Sequence, residues 1–431
     1  MKTCVPLLGL LLASGCATSP PAPATLPAAA TVPSPYLLLL AADKDGAEED
    51  FFAVVDVRTS SPTAGKVVAT TPYGHRDSMP HHMEYVLPPG ETLLFANAHH
   101  PEETMLVDVG DAPAIRIEKS ISPPPPLRFP HDYARLPDGN VLMGFLRSDG
   151  ASPKAGDKDG GHGGIAEYTA TGELLRSASA AVPGQAMPIR VYAIQPMLDI
   201  DRIVTTSARM MEKHSANVIQ IWRYSDLTLL KTIDVPAGKK PAGTPLDWAA
   251  EMPFGPRRMP DGSVLLNSYM CGFYRLTELA SEAPKIAHVY DVQGRDPAKP
   301  YERVGCSVPV VIGNHWIMPV GWSQMLVVLD VADPAAPREV SRLLLPEDFN
   351  AHWAAKDPGS NRIVVGAEME KERGMYMLAY DAGSGALSID ASINPGSERP
   401  GYIDLDHQMW PHGPSGPARA HSALFLPTAS R

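Results

Sequence analysis

The sequence predicts an all-β fold, a seven-bladed β-propeller, and three observations predict it. The recognisable elements are short apolar stretches rich in Val, Ile, Leu and Tyr with turn residues between them, as strands of antiparallel sheets are. Forty-five prolines and 35 glycines among 431 residues leave room for many tight turns and few long helices. One motif also returns at intervals of roughly 45 to 70 residues, the period of a blade built from four short strands, and about seven such blades fit the length.

In chain order the strand candidates are YLLLLAA from Tyr36, FFAVVDV from Phe51, ETLLFAN from Glu91, ETMLVDVG from Glu103, NVLMGFL from Asn140 and RIVTTSA from Arg202. They continue with VIQIWRY from Val218, SVLLNSY from Ser263, HWIMPVG from His315, MLVVLDV from Met325, RIVVGAE from Arg362 and MYMLAYD from Met375. The best stretch with helical spacing, LTELASEA from Leu276, is only two turns long.

The recurring motif is clearest in RFPHDYARLPDGNVLMGF. With His131 as position zero, Pro137 stands at plus six, followed by Asp138, Gly139 and a strand. His82 with Pro88 and Gly90, and His352 with Pro358 and Asn361, repeat the phase. Phe254 with Pro260, Asp261 and Gly262 repeats it without a histidine. Arg190 with Pro196 reads as a weaker copy, His421 with Pro427 as a truncated one, and a copy of degenerate register is expected between Arg303 and Val320. Each copy is a strand, a Pro-Asp-Gly type turn and a second strand of one sheet. Because blades repeat about one axis, their position-zero residues can converge on the central channel.

The ends carry a different message. MKTCVPLLGLLLASGCATS joins Lys2, a short apolar run and small residues before Cys16, the pattern of a secretory signal over residues 1–15. The run is too short to span a bilayer. Leu10 to Leu12 ahead of Cys16 resemble a bacterial lipobox, which implies that Cys16 becomes a lipidated first residue. Residues 16–35, rich in Pro, Ala, Ser and Thr, read as a semi-extended tether, with one propeller domain over 36–431. Ala17 is not the aspartate that retains such proteins at the inner membrane, so the expected location is the outer membrane, facing the periplasm. Cys271 and Cys306 are then the two thiols of the folded region; in an oxidising compartment they can pair, though spacing alone does not show it. A net charge of -11 offers no basic footprint for nucleic acid.

His82, His131 and either His352 or His421, gathered by rotational repetition, could hold one metal ion, and imidazole donors without a thiolate cluster suit copper, zinc, iron or nickel. The alternative is that these histidines are polar core residues bonded to turns and neighbouring blades. His75, His99, His100, His162 and His214 read as solvated loop residues, and the loop from Asp149 to Gly164 as a solvated insertion without the ligand spacing of a calcium loop. There is no GxSxG elbow, no HExxH and no phosphate-cradling glycine loop.

Several of these pieces, PHHMEYV, MLVDVGDAPAIRIEKSI, HDYARLPDGNVLMGFL, MLVVLDVADPAAPREVSRL and the terminal GPARAHSALF, occur in the order in which similar pieces occur in a known family. The chain resembles the selenium-binding protein family, whose members include methanethiol oxidases. The resemblance implies a seven-bladed propeller with a histidine-bound copper site that oxidises a small thiol or related sulfur compound with oxygen. It assigns the ligands to His81, His82, His131 and His421, keeps His352 as a reserve ligand from the repeat, and matches Glu251 to an acidic residue that would accept a proton. Ala134 and Arg135 replace a family histidine and cysteine, a second family histidine is missing in MPFGPRRM, Gln324 stands near the place of a third, and the selenium-associated cysteine has no counterpart in VDVRTSSPTAGKV. The alternative function is a non-catalytic periplasmic propeller that binds a partner or ligand, with structural histidines.

Overall fold

The computed structural model describes Met1 and residues 32–238, 251–301, 304–367 and 374–426. The signal segment, Cys16 and most of the tether lie outside the described residues. From Val32 onward the chain forms one compact unit.

Seven antiparallel sheets, six of four strands and one of five, follow one another along the described residues. The first blade takes three strands from the N-terminal end, Tyr36–Asp43, Phe51–Asp56 and Val67–Pro72, and its innermost strand, Ala418–Leu426, from the C-terminal end. The register of that closure runs from Tyr36 opposite Leu426 to Asp43 opposite Ala418. The other six blades begin at their innermost strands: Pro80–Met83, Leu127–Arg135, Val191–Met197, Pro253–Arg258, Val310–Ile312 and Ala351–Lys356. The seventh carries an extra strand, Tyr402–Asp404.

The apolar residues explain why the sheets stack in a ring. Successive side chains of a strand point to opposite faces, and in Tyr36–Asp43 both faces are buried. Leu37 and Leu39 pack toward the seventh blade with Trp353 and Met375, while Leu38 and Leu40 pack toward the second with Leu94 and Val107. Each remaining seam between neighbouring blades has an apolar cluster of the same kind. The outermost strands have only one covered face, so Arg338–Leu344 alternates exposed and half-buried residues along its length.

The recurring motif is the hairpin between the first two strands of a blade. Gly139 and Gly262 hold φ near +89° and +82°, a conformation that side-chain-bearing residues rarely adopt, and each donates its N–H back to the residue three before it. LTELASEA is not helical; it ends the strand Gly272–Thr277 and continues as a turn.

A β-bulge interrupts pairing in the innermost strands at one recurring place. It lies between Pro80 and Met83, Pro130 and Asp132, Val191 and Ile194, Pro253 and Pro256, and Ala351 and Trp353, and opposite Leu40 it leaves out His421. A bulge re-aims side chains off the sheet's alternation. The bulged residues are therefore His81 and His82, His131, Tyr192, Phe254, His352 and His421. In the fourth blade this corrects the register expected from Arg190, which precedes its strand; Tyr192 holds the place two residues on. Asn267 of the fifth blade donates through Nδ2 to the Cys306 and Ser307 carbonyls at the start of the sixth, as Asn97 Nδ2 of the second donates to those of Pro130 and His131 in the third. Ser307 is the position-zero residue that the degenerate register hid.

Candidate metal centre

The bulges bring His81, His82, His131, His352 and His421 together. His81 stacks on His421 at 3.9 Å between ring centroids and on His82 at 4.2 Å. His82 lies 4.3 Å from His131, and His352 lies 4.4 Å from His421. His81, His82 and His131 offer ring nitrogens all within 4.8 Å of one another, and so do His82, His352 and His421. Both sequence-derived completions, through His352 and through His421, meet in one cluster, and His81 and His82 both face it because the bulge breaks the strand alternation.

A sixth histidine joins them. His99, expected to be solvated, is fully buried, with its ring 4.5 Å from His81 and 4.4 Å from Phe129. It does sit in a turn, as its position before Pro101 predicts, but that turn faces the axis. The signal that could have found it is its place two residues after Asn97 on the strand beside the bulge. His100 is exposed at the same turn and its Nδ1 meets the Asp77 carbonyl.

Hydrogen bonds fix part of the donor set. His82 Nδ1 donates to the His131 carbonyl at 3.1 Å, and His131 Nδ1 donates to the Tyr192 carbonyl at 2.6 Å. Each bond assigns the proton to Nδ1 and leaves Nε2 as a lone pair, and neither Nε2 has a partner. Both ring nitrogens of His81, His352 and His421 also lack partners. Buried polar atoms normally find hydrogen bonds, so this many orphaned imidazole nitrogens facing one another fit a metal ion as their common partner.

Burial keeps the rings neutral. It lowers His131 to about 3 and His352 to about 4, and it holds His81, His82, His99 and His421 well below the ordinary imidazole value, with the neighbouring histidines adding to the effect. Neutral imidazole is the form that binds metals.

Around the rings stands a supporting layer. Asn97 accepts the His82 N–H through Oδ1 at 2.8 Å and donates through Nδ2 to His99 Nε2 at 3.2 Å. Asp132, beside His131, accepts from Tyr85 Oη and from the Ile194 N–H, each at 2.7 Å, and burial raises it to about 6. Tyr85 stacks on Trp353 at 4.9 Å, and Trp353 lies 5.1 Å from His82. Beyond His131, the rings of Tyr192, Phe254 and Tyr269 follow one another in contact, and Met252 and Met270 belong to the same apolar cluster.

No family model and no curated protein matches the chain. A hypothetical selenium-binding protein from Sulfolobus tokodaii matches with a TM-score of 0.69 at 15% identity, covering 91% of this chain and 93% of that one. A periplasmic gluconolactonase from Pseudomonas aeruginosa matches with a TM-score of 0.57 at 15% identity, over 82% and 94%, and the hydrazine synthase of Kuenenia stuttgartiensis with 0.51 at 10%, over 83% and 98%. The likeness is one of fold. These proteins differ in their chemistry, so the fold leaves function to the site grafted on it.

The remaining sequence-derived residues stand away from the rings' mutual contacts. Glu251 is half-exposed, 3.2 Å from Arg209. Gln324 gives its amide to the Trp322 carbonyl and to Asn350 Oδ1. Arg135 is buried against Glu84 through two bonds of 2.7 Å, so its position serves an ion pair between the second and third blades.

Proposed function

We propose that this protein is a copper-dependent oxidoreductase of the cell envelope that oxidises a small thiol or related sulfur compound with oxygen. Lipidated Cys16 would tether it to the outer membrane, with the propeller in the periplasm. The observation that supports the reading is the group of buried, neutral histidines, His81, His82, His131, His352 and His421, whose ring nitrogens gather in two sets sharing His82 and include many without hydrogen-bond partners.

His81, His82, His131 and His421 would hold the ion, with His352 in reserve in the nitrogen set that it shares with His82 and His421. Nitrogen donors without thiolate suit copper, and copper, when bound, supplies one-electron exchange between sulfur and dioxygen. The chain's own contribution is to fix the donors. Bonds from Nδ1 to carbonyls of the next blade set the tautomer and ring orientation of His82 and His131, and an apolar cluster of aromatic and methionine side chains packs next to them through Tyr192. Glu251 is proposed as the proton acceptor; Glu251→Gln should lower turnover without changing metal content.

The test is metal analysis of the full chain produced in copper-replete medium, followed by oxygen uptake with methanethiol. Stoichiometric copper and thiol-dependent oxygen uptake, both lost in His131→Ala, are expected. A protein that retains no transition metal overturns the reading in favour of a ligand-binding propeller with structural histidines. Copper without oxygen uptake across a panel of small thiols keeps the metal centre and removes the oxidase assignment.

A further inference from the structure

A second cluster of metal-ligating groups lies in the loop DKDGAEED that joins the first two strands of the first blade. Asp43, Asp45 and Glu48 place carboxylate oxygens all within 4.8 Å of one another. Asp45 and Glu48 are exposed, and exposed acidic groups often gather with nothing bound to them. Asp43 is different. It is 2% exposed, its Oδ1 has no N–H or O–H to accept, and burial together with the Asp45 carboxylate close against it raises its carboxyl above the ordinary value.

The nearby backbone N–H groups are already engaged. Asp43 Oδ2 accepts the Glu48 N–H at 3.0 Å, the Ala47 N–H goes to Asp45 Oδ1 at 3.0 Å, and the Lys44 N–H goes to the Pro417 carbonyl at 2.9 Å. Asp50 is also buried, but it is satisfied by the N–H groups of Asp43 and Ser78 and by the Ser78 hydroxyl, and Arg419 lies in its field. An unsatisfied buried carboxylate oxygen is costly, and here it stands beside two further carboxylates that repel it.

We propose that Asp43, Asp45 and Glu48 form a binding site for a hard divalent cation, calcium, separate from the histidine cluster. All the donors are oxygens, which excludes a preference for soft metals, and three carboxylates on one loop suit the adaptable coordination of calcium better than the rigid octahedron of magnesium. The site braces a functional segment. Through Asp50 the loop holds Ser78, two residues before the strand Pro80–Met83 that carries His81 and His82. Calcium would stiffen the approach to those histidines without touching them.

The test is calcium titration of the chelator-treated full chain by calorimetry, with a parallel thermal melt. One equivalent should bind with Kd of about 10⁻⁴ to 10⁻³ M, the range of extracellular modules, and should raise Tm. Magnesium at the same concentration should not displace it. Asp43→Asn should weaken binding at least about tenfold. Because Asp43 is buried and its variant can misfold, the exposed variants Asp45→Asn and Glu48→Gln serve as the second test and should weaken binding while keeping the wild-type melt in the absence of calcium. His131→Ala should keep full calcium binding. Absence of saturable binding at millimolar calcium, wild-type affinity in both exposed variants, or loss of calcium in His131→Ala would each overturn the site.

Discussion

His131 Nδ1 lies 2.6 Å from the carbonyl oxygen of Tyr192, the bulged residue of the next blade. His82 makes the same bond to the carbonyl of His131. The third and fourth blades thus set the tautomer and aim of His82 and His131, so neighbouring blades orient these two lone pairs as well as their positions. Metal binding then requires little reordering, because the rings are already packed against one another.

His82→Ala and His131→Ala should each remove stoichiometric metal, since each deletes one of the two nitrogens whose tautomer is fixed toward the cluster. Loss of a supporting group alone typically weakens a metal site about 10- to 100-fold, and loss of a ligand should exceed that. Metal content after dialysis against a weak chelator reads the effect, and wild-type content in either variant places the ion elsewhere.

The metal-free protein should lose stability as pH falls. His131 and His352 drop from 6.5 to about 3 and about 4 in the folded state. Below about pH 6.5 the unfolded chain therefore binds protons that the folded chain refuses, and stability declines until pH reaches the folded values. Above pH 6.5 both states are neutral and these groups contribute no slope. The decline from pH 6.5 to 4 should amount to several kcal/mol, on the order of 1.4 kcal/mol per pKa unit per group. Urea melts at a series of pH values measure it, and a flat profile between pH 6.5 and 4 would show that these rings protonate in place.

The central strands of each blade were legible because both their faces are covered by neighbouring blades. YLLLLAA and MLVVLDV are apolar at every second position on both faces, and that needs no alignment to see. The outer strands were missed because one face is wet: Arg338–Leu344 reads as polar half the time. The innermost strands carry Pro, Gly and His at a bulge, so their strand signal is weak while their phase relative to the next turn is strong. That phase located His82, His131, His352 and His421. It failed in the fourth blade, where Met197 leads into a single 3-10 turn, Leu198–Ile200, and the bulge falls at Tyr192. His99 lay outside the phase altogether, since it enters the cluster from the second strand's turn.

Arg135 should be indispensable to stability and irrelevant to metal binding. It and Glu84 are almost wholly buried, and Glu84 also accepts the Phe95 N–H at 3.0 Å. Arg135→Leu leaves that carboxylate buried without its cation, which costs about 3–5 kcal/mol. The denaturant midpoint should fall accordingly, while the variant that folds keeps its full metal content.

Cys271 and Cys306 form a disulfide across the seam between the fifth and sixth blades, with Cα atoms 5.0 Å apart. The loop closed spans 35 residues, for which chain entropy suggests about 4 kcal/mol of stabilisation. Cys271→Ser with Cys306→Ser should therefore lower Tm as reductant does to the parent, and reductant should have no further effect on the double variant. A parent whose melt is indifferent to reductant would show the bridge to be absent in solution.

Asn97 offers the sharpest test of the support around the histidines, because one side chain serves three of them. Its Oδ1 receives the His82 N–H, and its Nδ2 reaches His99 Nε2 and the carbonyls of Pro130 and His131. None of these bonds uses a nitrogen that faces the cluster from His82 or His131. Asn97→Ala should leave one metal per chain at saturation and weaken its affinity about 10- to 100-fold, as loss of an orienting group does elsewhere. Competition against a chromophoric chelator measures the affinity, and stoichiometry at excess metal separates this outcome from loss of a ligand. Asn97→Asp should recover the bond to the His82 N–H but not the donation to His99 and the carbonyls, so its affinity should fall between the parent and Asn97→Ala. Equal affinity in all three proteins would mean that blade packing alone, through the bulges, holds the rings in place.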